Sequence, residues 1–177
     1  MTEYNYRRKS MHFLTPSIWV ETIHNIDYKK LYESGKRAIY FDIDNTMASY
    51  QTPLPDEKIH NFIKMLHDIG FKVGVLSNAK SGRAKLFADA LGLDFEGKAL
   101  KPRRKGFNRL SERLGVKNDE VVMIGDQLFT DIWGGNRYKC YTVLVTPIEP
   151  KGDPAFVKFK RIFEKPVMKK LKKSESN

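Results

Sequence analysis

Short apolar runs alternate along this chain with longer stretches in which apolar residues return every three or four positions. The first kind reads as buried strand and the second as helix with one face inward. Ala38–Phe41 is such a run, closed by polar residues on both sides. From Asp56 the spacing changes to Ile59, Phe62, Ile63, Leu66 and Ile69 and stops at Gly70, a residue type that commonly closes helices. Lys72–Leu76 predicts a strand, and a helix is expected from about Ser81 to Leu91 with Ser81 as its cap. Leu93–Leu100 predicts a short strand, Gly106–Leu114 a helix ended by Gly115, and Glu120–Ile124 a strand. A further helix is expected over Leu128–Trp133, ended by Gly134-Gly135-Asn136, with Tyr141–Val145 as the last strand. Strands and helices alternating at this spacing imply βαβ units and a parallel sheet.

The two ends differ from this core. Behind a basic start with Arg7, Arg8 and Lys9, the segment Met11–Ile26 reads as a short amphipathic helix begun near Pro16, or as chain packed on the sheet edge. Residues 151–177 carry nine Lys or Arg against three acids, interleaved with Phe156, Phe159, Ile162 and Phe163. Pro166 predicts a break in any helix there. The expected division is a domain over 1–150, including an N-terminal extension, and a basic C-terminal tail or helix over 151–177.

With 177 residues the chain suits one domain, and its net charge of +11 points to anionic partners: phosphates, an anionic membrane surface or nucleic acid. The single Cys140 leaves no intrachain disulfide, which fits a reducing compartment. No apolar run approaches the roughly 20 residues of a membrane crossing, so a cytoplasmic protein is expected, either soluble or peripheral on a membrane's inner face.

The chemistry gathers at predicted strand ends. Asp42 and Asp44 are two positions apart, so they share a face of an extended segment and converge beyond the strand's C-terminal end, where open α/β sheets bind ligands. Like charges so close call for a divalent metal or a shared proton. Ser77 and Asn78 follow the second strand, Asp126 and then Asp131 the fourth, and Lys101-Pro102 stands at a helix mouth between them. Each residue alone has a plain structural reading as a turn, cap or surface residue; the ordered set does not.

That set resembles the haloacid dehalogenase superfamily of phosphotransferases. Asp42-Ile43-Asp44-Asn45-Thr46 is similar to its first motif, Ser77 to its second, Lys101 to its third, and Gly125-Asp126 with Asp131 to its fourth. Phe-Asp-Ile-Asp-Asn-Thr, Leu-Ser-Asn-Ala, Lys-Pro and Ile-Gly-Asp-Gln-Leu-Phe-Thr-Asp-Ile-Trp-Gly-Gly-Asn-Arg together resemble the YqeG family of bacterial phosphatases, from about Pro16 to Pro147. The resemblance implies a doubly wound α/β fold of strand order 5-4-1-2-3 without an inserted cap, and hence an uncovered active-site mouth. It implies Asp42 as nucleophile, and Asp44 as general acid and base with a pKa raised by desolvation or a neighbouring anion. Mg²⁺ would be held by Asp42, the Asp44 backbone carbonyl and Asp126, with Asp131 supporting. Thr46, Ser77, Asn78 and Lys101 would bind the substrate phosphate, with Lys105 as a rival for the lysine role. YqeG-type proteins are in turn similar to phosphatidylglycerophosphate phosphatases, which implies a lipid phosphate as substrate. A soluble metabolite phosphate, or a nucleic-acid or ribosome-binding module with a vestigial site, are the alternatives.

Overall fold

The computed structural model describes residues 12–79 and 82–175, which form a parallel sheet covered on both faces by helices. Its strands are β1 (Ile18–Val20), β2 (Ala38–Phe41), β3 (Lys72–Leu76), β4 (Asp94–Glu96), β5 (Val121–Gly125) and β6 (Tyr141–Val145). They lie in the order β1-β6-β5-β2-β3-β4, all parallel. The central strand β2 pairs Phe41 with Val75 on one side and with Ile124 on the other. The helices are α1 (Tyr28–Glu33), α2 (Glu57–Ile69), α3 (Gly82–Ala90), α4 (Arg104–Leu114), α5 (Trp133–Tyr138) and α6 (Ala155–Glu175).

Period-two alternation decides which helix covers which face. Ile39, Phe41, Val73, Val75, Val122 and Ile124 pack with Phe62, Ile63, Leu66, Ala84 and Phe87 from α2 and α3. Ala38, Tyr40, Leu76, Val121 and Met123 point the other way, onto Phe107 and Leu110 of α4 and Tyr138 of α5. Helix α2 opens on Asp56, whose carboxylate accepts the Ile59 N–H at 2.9 Å, and closes on Gly70 at a left-handed φ of 110°.

Several expectations are corrected. The first segment is not a helix. His12–Leu14 and Ile23–Asn25 are short 3₁₀ turns around β1, which joins the sheet edge as a sixth strand through register pairs such as Trp19 with Leu144. Two β-branched residues around a tryptophan favour that extended edge. The expected cap Ser81 and the basic residues Arg7, Arg8 and Lys9 lie outside the described residues.

The expected helix from Leu128 is present, opening as a π-helical turn (Leu128–Ile132), but it does not end at the glycines: it continues as α5 through both of them to Tyr138. The glycines serve close approach there: a Cβ on Gly135 would sit 2.5 Å from Thr142 Cγ2, and one on Gly134 3.0 Å from the Phe107 ring. Pro166 does not break α6 either. It lies on the exposed side of the helix, and the carbonyl it leaves unpaired belongs to Ile162, a residue 60% exposed. The cost of an interior proline, roughly 3 kcal/mol, is set against the burial of Val157 and Leu171 on the inner face.

Gly135→Ala should destabilise the fold by about 1–2 kcal/mol despite its better helix propensity, because the added methyl overlaps β6. Gly82→Ala, which meets nothing within 4 Å, should be neutral or slightly stabilising; urea denaturation of the two variants measures the contrast.

Candidate active site

Parallel pairing brings the C-terminal ends of the strands to one edge, and with them the reactive residues. Asp42 follows β2, Ser77 and Asn78 follow β3, Asp126 follows β5, and Lys101 stands in the loop between β4 and α4. Asp42, Asp44, Ser77, Asn78 and Lys101 line a cleft of about 440 Å³. Lys105 is exposed on α4 and reaches none of them, so the lysine of the site is Lys101.

Lys101 is buried and its ammonium is ringed by oxygen atoms. It donates to Asp42 Oδ1 at 2.8 Å and to the Leu76 carbonyl at 2.6 Å, and it pairs with Asp131 Oδ1 at 2.7 Å. An ammonium has three protons to give; two go into these hydrogen bonds, and the Asp131 contact is an ion pair. Burial opposes its charge, but Asp131 and Asp42 outweigh that and hold its pKa above the ordinary lysine range. Asn78 fixes the lysine from behind: its amide donates to the Lys101 carbonyl at 3.0 Å, and its oxygen accepts the Lys101 N–H at 2.7 Å. Both polar atoms of the Asn78 side chain are therefore committed to the lysine loop. The Ser77 hydroxyl accepts the Ala79 N–H at 3.0 Å and keeps its own proton for another acceptor. Thr46 turns away from the cleft and donates to Asp126 Oδ1 at 3.5 Å.

Asp42, Asp126 and Asp131 each offer a carboxylate oxygen within 4.8 Å of the others, and all three are buried. The backbone forces this crowding. Gly125 lets Asp131 fold back over the strand end, where a Cβ would overlap its carboxylate, and the Gln127 N–H donates to Asp131 Oδ2 at 3.1 Å. Desolvation raises the Asp42 pKa to about 6, with Lys101 pulling it down and Asp131 pushing it up. Asp126 is raised well above its usual range, again chiefly by burial, with the Arg161 guanidinium opposing. A cluster of hard, desolvated oxygen donors suits hard divalent cations such as Mg²⁺, Mn²⁺ or Ca²⁺. The residues present therefore fit a divalent cation. Asp131 both belongs to this cluster and holds Lys101, so direct and supporting roles meet in one side chain.

Three elements of the site have no counterpart in the motifs. Arg161 of α6 reaches into the cluster and pairs with Asp126 Oδ2 at 2.5 Å and with Asp153. Glu164, one turn on, accepts the Phe129 N–H at 3.0 Å, and burial raises its pKa to about 7. Arg83 pairs with the Asp44 carboxylate and donates to the Thr52 carbonyl at 2.6 Å. The neighbour expected beside Asp44 was an anion or an apolar wall; the structure places a guanidinium there. The mouth differs from expectation too. Pro154, Phe156, Val157 and Lys160 form one wall of the cleft, so the C-terminal segment borders the site. Asn45 secures that border from the strand side. At a left-handed φ of 61°, it donates to Asp153 Oδ1 at 2.5 Å and accepts the Glu149 N–H at 2.9 Å.

A family model of haloacid dehalogenase-like hydrolases matches residues 17–138, which carry every aspartate and lysine of this cluster. The chain belongs to that family. It is 35% identical over 161 residues to the probable phosphatase YqeG of Bacillus subtilis, covering 91% of this chain and 93% of that one. It is 26% identical over 171 residues to the chloroplastic/mitochondrial phosphatidylglycerophosphate phosphatase 1 of Arabidopsis thaliana, covering 92% of this chain and 49% of the plant protein. Among solved structures, the cobalt-bound deoxy-D-mannose-octulosonate 8-phosphate phosphatase of Haemophilus influenzae superposes with a TM-score of 0.52 at 20% identity, over 75% of this chain and 88% of that one, a likeness of fold. With the family and these relatives, the chain is an enzyme of the haloacid dehalogenase phosphatase type.

Two predictions follow from the charge balance. Arg161→Gln strands the buried Asp126 carboxylate, which costs about 3–5 kcal/mol and lowers the metal-free melting temperature by roughly ten degrees; Mg²⁺ should recover more of that loss than it adds to the unaltered protein, as calorimetric melts with and without the ion would show. Because a metal needs both Asp42 and Asp126 ionised, and burial raises the pKa of each, the affinity for a divalent cation such as Mg²⁺ read by titration calorimetry should fall by at least about tenfold per pH unit below 6.

Proposed function

We propose that the protein is a Mg²⁺-dependent phosphomonoesterase working through an aspartyl-phosphate on Asp42, with phosphatidylglycerophosphate as its substrate. The observation that carries this reading is the buried Asp42 carboxylate on the cleft floor, gripped by Lys101 beside Asp126 and Asp131. Asp42, the Asp44 backbone carbonyl and Asp126 would hold Mg²⁺, which would supply positive charge against the phosphate and the transferring phosphoryl group.

The remaining work falls to the chain's own groups. An Asp42 carboxylate oxygen attacks phosphorus as the bond to the leaving oxygen breaks, and Asp44 gives that oxygen its proton. Asp44 then takes a proton from water, whose oxygen attacks the same phosphorus and frees inorganic phosphate from Asp42. The Ser77 hydroxyl and the Lys101 ammonium stabilise charge on the phosphoryl oxygens, and Asn78 keeps Lys101 in place. Thr46, bonded to Asp126, serves the metal side of the site more directly than the phosphate. Arg83 is the counterion Asp44 must give up: an incoming phosphate competes for the guanidinium and leaves Asp44 free to hold its proton.

The lipid assignment draws support from the plant relative, from the +11 charge of the chain and from a cleft with an apolar wall at Phe156 and Val157. Asp42→Asn should abolish phosphate release, a loss of at least a thousandfold, while the melting temperature stays within a few degrees. A vestigial binding module would lose nothing. In a phosphate-release panel with and without Mg²⁺, phosphatidylglycerophosphate in vesicles should exceed soluble sugar phosphates in kcat/KM; the reverse order assigns the enzyme to a soluble metabolite instead.

A further inference from the structure

Helix α6 has two faces of opposite character. Successive helical residues turn by about 100°, so Phe156, Phe159, Ile162 and Phe163 fall within roughly a third of its circumference. They are 63%, 62%, 60% and 54% exposed. The Phe159 and Phe163 rings touch edge to face at 5.1 Å. The opposite arc sends Val157, Arg161, Glu164 and Leu171 inward, to the cleft, the acidic cluster and the core. Lys158, Lys165 and Lys169 flank the aromatic stripe on one side, exposed, and Lys160 flanks it on the other with its ammonium over the Phe156 ring at 5.4 Å. From 155 to 171 the only carboxylate is Glu164, and it is buried. The outward face of this stretch is therefore purely aromatic, aliphatic and cationic.

We propose that this face docks the protein on an anionic bilayer, with the four apolar side chains entering the interface and the lysines meeting lipid phosphates. The charge complementarity is one-sided: an apolar stripe edged by cations and free of anions suits a negatively charged surface. A second copy of the chain is a poor occupant, since pairing two such faces sets lysine against lysine. Nucleic acid would find aromatic rings, but on a convex helix carrying an isoleucine among them rather than in a groove that tracks a strand. Phe156 and Lys160 belong to the stripe's edge and to the cleft wall at once, so docking brings the active-site mouth to the lipid surface. That last consequence rests on the lipid-phosphatase reading; the docking itself does not.

The test is flotation of the full chain with vesicles of phosphatidylcholine alone or mixed equally with phosphatidylglycerol, neither containing a phosphomonoester. The unaltered protein should float with the anionic vesicles only, and less so at high salt. Phe159→Ser, Ile162→Ser and Phe163→Ser together should reduce the bound fraction at least tenfold while p-nitrophenyl phosphate turnover is unchanged, since none of the three lines the cleft. If that variant fails to fold by circular dichroism, Lys158→Glu, Lys165→Glu and Lys169→Glu together should abolish the anionic preference. The proposal is overturned if the unaltered protein stays with the soluble fraction, or if the folded variants float as well as it does. It also falls if the stripe is consumed by a dimer that the serine variant converts to monomer, or if RNA binds in preference to vesicles. Flotation without any turnover of phosphatidylglycerophosphate would leave docking standing and remove the lipid substrate.

Discussion

Three carboxylates, Asp42, Asp126 and Asp131, are held out of water within 4.8 Å of one another, and much of the structure around them answers that single electrostatic demand. The crowding follows from topology, because parallel strands deliver Asp42 and Asp126 to the same edge and Gly125 lets Asp131 fold over it. Buried like charges do not persist without counter-charge. The chain supplies two cations from distant segments, Lys101 from the loop before α4 and Arg161 from α6. Each is itself braced, the lysine by Asn78 and the Leu76 carbonyl, the arginine by Asp153. A site of this kind is strongly attractive to a divalent cation and expensive to fold without positive charge.

Arg161 ties the C-terminal helix to the acidic cluster of the candidate site. The same inner face that buries Val157 and Leu171 sends a guanidinium to Asp126 and a carboxylate to the Phe129 N–H. Pro154 and Val157 meanwhile wall the cleft. Charge balance and access to the mouth are thus tied to one element, and whatever shifts α6 alters both. The acidic cluster also gives a helix so rich in lysine a reason to dock on the domain: its one inward arginine pairs with a carboxylate of that cluster.

The sheet and the motif residues were legible in the sequence because local pattern and global fold agree there. Apolar runs such as Ala38–Phe41 and Val121–Ile124 have no other good environment, and the stripe from Ile59 to Ile69 is bounded by its own cap residues, Asp56 and Gly70. What escaped the pattern depended on partners distant in sequence. Ile18–Val20 becomes a strand only because β6 offers an open edge. Gly134-Gly135 reads as a stop until Phe107 and Thr142 are seen against it. Pro166 reads as a break until the exposure of its helix face is known. Arg161 and Arg83 lie in no motif, and nothing local distinguishes them from the other cations of a basic chain. A surplus of buried acid at the strand ends was the one signal that could have prompted a search for them.

The two cations are not equivalent, and the difference bears on how the site accepts a metal. Lys101 donates to Asp42 and the Leu76 carbonyl and is ion-paired with Asp131, so displacing it would orphan a buried backbone acceptor and leave two carboxylates without their counter-charge. Arg161 has a divided grip. Its Nη2 engages Asp126 while its Nε engages Asp153, a residue outside the cluster that is also bonded to Asn45. A divalent cation held at Asp126 would compete with one of the arginine's two contacts and leave the one to Asp153 in place. The lysine is thus held by contacts within the site, and the arginine by one contact inside it and one outside.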